Sequence, residues 1–139
     1  MLTVQEMMTT ELSTLPTTAP IRQAARIMRD EDIGDVIILD DTGSVMGMVT
    51  DRDITVRAIA DGLDPSDTQV GEICSSALVS ARPDQDVEEV MEMMQEQAVR
   101  RIPVLDGDTA VGVISLGDLA LELQPNSTLG RISGQTPNR

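Results

Sequence analysis

The chain repeats itself, and that constrains its fold more than any other feature. A shift of 66 residues lays Val4, Glu6 and Met7 on Val70, Glu72 and Ile73. The same shift lays Ile21, Ala24, Ala25 and Met28 on Val87, Val90, Met91 and Met94. Both sets run i, i+3, i+4, i+7, a spacing that gathers four apolar side chains on one helical face. Arg22, Arg26 and Arg29 in one copy, and Glu88, Glu89, Glu92 and Glu96 in the other, lie off that face. The register continues from Ile33, Val36, Ile38 and Leu39 to Val99, Ile102, Val104 and Leu105. Past the turns at residues 40–44 and 106–109 the shift becomes 65, so the second copy has lost one hairpin residue, at a place where loss is tolerated.

Each copy predicts a short lead-in helix, an extended segment, a helix, two strands joined by a hairpin, and a closing helix. Helices are expected near residues 4–8, 21–30, 52–61, 70–74, 87–97 and 116–123, and strands near 36–39, 45–49, 102–105 and 110–114. The fold class is therefore mixed α/β (α+β), two pseudo-twofold-related repeats with a small sheet packed on helices in each. The organisation in sequence is repeat 1 over 1–62, a polar linker over 63–69, repeat 2 over 70–123, and a polar tail over 124–139 to which no function is assigned. A half of about 65 residues is marginal alone. The wholly apolar run Val36-Ile37-Ile38-Leu39 reads as a strand covered on both faces, so pairing of the halves and a cleft between them are expected.

Composition removes several chemistries. The chain has no His, Lys, Phe, Tyr or Trp, and all its basic residues are arginine. Relays that need His, Schiff bases and phosphate lysines are excluded, as are imidazole metal sites. A net charge of −14 repels nucleic acid and anionic membrane. Cys74 is the one cysteine, so no intrachain disulfide can form. The start of the chain lacks a charged and apolar leader, and no apolar run is long enough to span a bilayer. A cytoplasmic location is expected, with no nucleic-acid or membrane partner and no metal.

The second strand of each copy ends alike: Gly47-Met48-Val49-Thr50-Asp51-Arg52-Asp53 and Gly112-Val113-Ile114-Ser115-Leu116-Gly117-Asp118. A hydroxyl residue before a helix with an acid three residues on is close to a capping box, and capping alone can explain the pattern. The same corner can also offer amides and a positive dipole end to a phosphate, and an Asp to the vicinal hydroxyls of a ribose. With Arg100-Arg101-Ile102-Pro103-Val104 ahead of its second copy, the duplicated motif resembles a tandem pair of cystathionine-beta-synthase (CBS) domains, the Bateman module, over about residues 2–123. The chain is similar to stand-alone CBS-pair proteins.

That resemblance implies a non-catalytic regulatory module, with no required cofactor, that binds an adenosine-containing ligand between its repeats. AMP, ADP, ATP and S-adenosylmethionine are the candidates. It further implies that Asp53 or Asp118 holds the ribose and that Thr50 or Ser115 lies near phosphates. Adenine would lie between aliphatic residues, with Val99, Ile102 and Pro103 as candidates in copy two and Ile33, Val36 and Ile37 in copy one. A homodimer and a downstream partner protein are expected on the same grounds. The copies differ in charge: Gly34 and Asp35 stand where the second copy has Arg100 and Arg101. Arg52 partly compensates in the first copy, with Asp51 beside it, so the second corner is the stronger anion site. The alternative is a ligand-free interaction or dimerisation module whose clefts stay empty. The nine methionines read as core filler, Asp30-Glu31-Asp32 and Asp40-Asp41 as solvated surface, and Cys74 as a buried small hydrophobe.

Overall fold

Each repeat lays an amphipathic helix on a small sheet in the computed structural model, which describes residues 1–75 and 79–123. The tail over 124–139 lies outside the described residues. The first copy runs α1 (Val4–Met7), β1 (Thr14–Pro16), α2 (Ile21–Glu31), β2 (Asp35–Leu39), β3 (Val45–Thr50) and α3 (Asp51–Asp53), which passes directly into a π-helical stretch at Ile54–Ile59. The second runs a single 3-10 turn at Val70–Glu72, then α4 (Val87–Gln97), β4 (Arg101–Asp106), β5 (Thr109–Ser115) and α5 (Leu116–Leu123).

The apolar spacing is realised with one repeated exception. Ile21, Ala24 and Met28 of α2 are buried, as are Val87, Val90 and Met94 of α4. The fourth member of each set is not: Ala25 and Met91 are exposed. The apolar stripe that meets each core is therefore narrower than the sequence pattern suggested. Both helices end on a left-handed residue, Asp32 at φ 60° and Ala98 at φ 53°, which turns the chain into the next strand.

In the first sheet the order is β1-β2-β3, with β1 parallel and β3 antiparallel to β2. In the second, β4 and β5 pair antiparallel, and Ala81 makes a parallel bridge to Val104 where Leu15 meets Ile38 in the first. The two hairpins differ as the shortened repeat requires. Leu39 pairs with Val45 across residues 40–44, whereas Leu105 pairs with Ala110 and Asp106 with Thr109. Each ladder carries a bulge at the matching place, Ile38/Leu39 and Val104/Leu105.

The expected helix over 52–61 is one α-helical turn followed by the π-helical stretch, with Ala60 N donating to Thr55 O at 3.0 Å. The β-branched run Ile54-Thr55-Val56 and a bond from the Thr55 hydroxyl to Asp51 O at 3.1 Å accompany this loosening of the helical ladder.

The lead-in turns are exchanged between the spatial units. One compact unit is Leu12–Leu78, and the other combines Met1–Glu11 with the chain from Val79 onward. Val4 is buried with Val87, Val90, Ile102 and Ile114, while Val70 is buried with Ile21, Val36 and Val49. Backbone pairing repeats this at equivalent positions: Val4 N donates to Gln85 O at 2.9 Å and Val70 N to Ala19 O at 2.8 Å. Thr9 pairs with Val113 as Ser75 pairs with Met48. The units thus differ from the linear repeats, because each lead-in completes the core of the other copy.

That exchange explains the first residue of the shared motif. A Cβ on Gly47 would collide with the Ser75 carbonyl, and one on Gly112 would stand 2.9 Å from the Thr9 carbonyl oxygen. Glycine at the motif's head serves the close approach of the exchanged backbone.

Candidate ligand-binding corners

Each corner forms where the last strand of a copy turns into its closing helix. In the first, Thr50 ends β3 and lies opposite Asp35 across the ladder. Thr50 Oγ1 accepts from Asp53 N at 3.1 Å, and Asp53 Oδ2 accepts from Thr50 N at 2.9 Å, a closed capping box. Asp53 Oδ1 also lies 3.7 Å from Arg57 Nε, a half-exposed ion pair that contributes little by itself. The other amides of this turn are engaged as well. Asp51 N donates to Gly34 O at 3.0 Å and Arg52 N to Asp51 Oδ1 at 2.9 Å. A phosphate at this corner would have to displace bonds already made.

The second corner has the same frame with different charges. Ser115 ends β5 opposite Arg101, its side chain is buried, and its Oγ accepts from Asp118 N at 3.0 Å. Leu116 N donates to Arg100 O at 2.8 Å, matching the Asp51 bond of the first corner. The carbonyls of Gly34 and Arg100 are functional elements of the frame that side-chain patterns do not reveal. Arg100 and Arg101 are exposed at the entry to β4.

Electrostatically the corners are opposites. The first gathers Asp35, which is buried, with Asp51 and Asp53, against the exposed Arg52. The second gathers Arg100 and Arg101 with Asp118 and no other acid at the equivalent motif positions. The structure thus brings Asp35, Thr50, Arg52 and Asp53 together in one unit, and Arg100, Arg101, Ser115 and Asp118 together in the other.

The apolar candidates are placed differently from the polar ones. The side chains of Val36 and Ile102 are packed into the two cores, and Val99 packs against the second. A ligand at either corner would meet Val36 and Ile102 through their main chain. Ile37 and Pro103 are buried on the alternate strand face, opposite Met48 and Val113, and Ile33 is half-buried.

Cys74 is partly buried against the first core, with its Sγ directed at Gly71 O, 3.7 Å away. Burial, followed by the nearby Asp53 charge, pushes its thiol above the usual range. Among the described residues no group of three or more His, Cys, Asp or Glu side chains lies close enough to hold a metal ion. No helix among them is long and apolar enough to cross a membrane.

The family model of the CBS domain matches residues 4–58 and again 70–125. This chain belongs to the CBS-domain family. The CBS domain-containing protein YhcV of Bacillus subtilis is 35% identical over 130 residues, covering 94% of this chain and 91% of that one. Hypoxic response protein 1 of Mycobacterium tuberculosis is 32% identical over 123 residues, covering 88% and 86%. A crystal structure of Hypoxic Response Protein I with two coordinated zinc ions superposes with a TM-score of 0.79 at 31% identity, covering 86% of this chain and 97% of that one. The CBS domain pair of protein MJ0100, solved with 5′-methylthioadenosine and S-adenosyl-L-methionine, superposes at 0.81 with 23% identity, covering 91% and 98%. The two-repeat CBS fold, with mixed helices and small sheets, is thus common to this chain and its relatives.

Proposed function

We propose that this chain is a cytoplasmic, non-catalytic regulatory module whose second corner, Arg100, Arg101, Ser115 and Asp118, holds an adenosine-bearing ligand. The observation that carries the proposal is the charge contrast between two corners of one frame. Where the first presents Asp35 beside its threonine, the second presents Arg101 beside its serine, with Arg100 adjacent. Guanidiniums bind phosphate oxygens bidentately, so AMP, ADP or ATP is favoured over S-adenosylmethionine. Asp118 takes the ribose hydroxyls and Ser115 lies toward the phosphate. The adenosine-type ligands of the MJ0100 domain pair support the ligand class, although that likeness extends to the fold alone.

The module works by population shift. A ligand that binds one conformation more tightly enriches it and changes the surface shown to a partner protein. The module acts as a homodimer. The zinc of Hypoxic Response Protein I is not carried over, since this chain has one cysteine and no histidine to offer.

Thermal unfolding with AMP, ADP, ATP and S-adenosylmethionine tests the proposal. Ligand at 100 times its Kd is expected to stabilise by ~2.7 kcal/mol. The shift should vanish in Arg100→Ala and Asp118→Ala and persist in Asp53→Ala. Equal shifts in wild type and Asp118→Ala would remove the site assignment. The closed capping box at Thr50 and Asp53 favours a second reading for the first corner, a helix cap in a ligand-free interaction module. The absence of a shift with every ligand would extend that reading to the whole chain.

A further inference from the structure

Helices α2 and α4 are equivalent in the repeat, and their exposed faces are opposite in charge and complementary in shape. On α2, Arg22, Ala25, Arg26 and Arg29 line a surface depression of ≈ 580 Å³, with the small Ala25 between the guanidiniums. Arg29 is ion-paired with the neighbouring Asp30 at 2.8 Å, which leaves Arg22 and Arg26 as the principal charges directed outward. On α4 the equivalent positions are Glu88, Met91, Glu92 and Gln95, all exposed, with Glu89 and Glu96 alongside. Met91, at 37% exposure, is a protruding apolar side chain at the position where α2 has its hollow.

Neither Ala25 nor Met91 serves a core, although both continue the apolar spacing of their helices. Further apolar surface adjoins α2: Val56 and Ile59 are 48% and 55% exposed on the π-helical stretch, whose Ala58 lies in the same core as Ile21, Ala24 and Met28. A net charge of −14 opposes association of two copies in general, and a locally basic face is where a second copy's acidic face can approach.

We infer that this chain pairs head to tail with a second copy of itself, α2 of each copy against α4 of the other, Met91 seated over Ala25 and the glutamates facing Arg22 and Arg26. In an isologous pair, contact of α2 with the partner's α4 entails the reverse contact, so the surface buried is doubled. A head-to-head pair would set arginine on arginine and glutamate on glutamate. This inference rests on the homodimer reading above and gives it a surface and a polarity.

Sedimentation velocity on the full chain across a dilution series tests it. Wild type is expected to be a dimer whose dissociation constant rises with salt. Arg22→Glu with Arg26→Glu should weaken it at least about tenfold, and Glu88→Arg with Glu92→Arg equally. All four changes in one chain should restore wild-type association, because opposite charges face each other again. These are exposed positions, and circular dichroism should be unchanged in every variant.

A monomeric wild type overturns both the homodimer and this inference. A dimer indifferent to the α2 reversal overturns the inference and leaves the homodimer standing. A dimer lost on α2 reversal and not restored in the fourfold variant overturns the pairing of α2 with α4.

Discussion

Gly47 shows how one residue can be fixed by a contact its own neighbourhood does not predict. The motif it heads reads as a ligand signature, yet the glycine itself is required by the Ser75 carbonyl lying against it. Gly47→Ala is expected to destabilise the fold by ~1–3 kcal/mol through overpacking against backbone, measured by urea unfolding, without altering a nucleotide response at the second corner. Asp40 is the contrasting case, set by purely local bonds. Its Oδ1 accepts from Thr42 Oγ1 at 2.6 Å, from Thr42 N at 2.9 Å and from Ser44 N at 3.0 Å. These bonds, the Thr42 hydroxyl's first, hold its carboxyl below the usual range. A folded-state value below the unfolded one gives stability that is fully present above the ordinary Asp range and lost as pH falls through the depressed value. Asp40→Ala should therefore lower the melting temperature at neutral pH, and the gap to wild type should close on acidification.

At the scale of elements, the exchanged lead-ins make a prediction that linear repeats would not. Val4 stands in the first copy by sequence and in the second copy's core by structure. Val4→Ala should cost about 1–3 kcal/mol, as for other large-to-small core changes. The lost hydrogen-exchange protection should fall on residues 79–123 and spare 14–59. Loss confined to the first repeat would contradict the exchange. Sequence periodicity had no means of finding this, because Val4-Gln5-Glu6-Met7 and Val70-Gly71-Glu72-Ile73 carry the same pattern and each would suit either core. The π-helical stretch at Ile54–Ile59 escaped for a related reason: its apolar spacing is also that of an α-helix, and only the backbone bonds distinguish them.

At the scale of the whole molecule, charge is the dominant property. With 24 acids against 10 arginines the folded chain repels itself. Its melting temperature should rise on going from low salt to about 0.15 M, where the Debye length is ≈ 8 Å, when measured too dilute for association. A fall under those conditions would mean that attractive pairs outweigh the excess of acid. The sequence by itself determined the duplication, the two amphipathic helices, the hairpins with their one-residue difference, and the charge contrast between Asp35 and Arg101. Each of these is written in local spacing or in residue type. Tertiary structure alone decided which core each lead-in completes, that the first-turn amides of the first corner are already bonded, and that Val36 and Ile102 face inward. It also left Ala25 and Met91 uncovered. Those outcomes depend on contacts between residues far apart in the chain, and a pattern of nearest neighbours carries no record of what packs across from it.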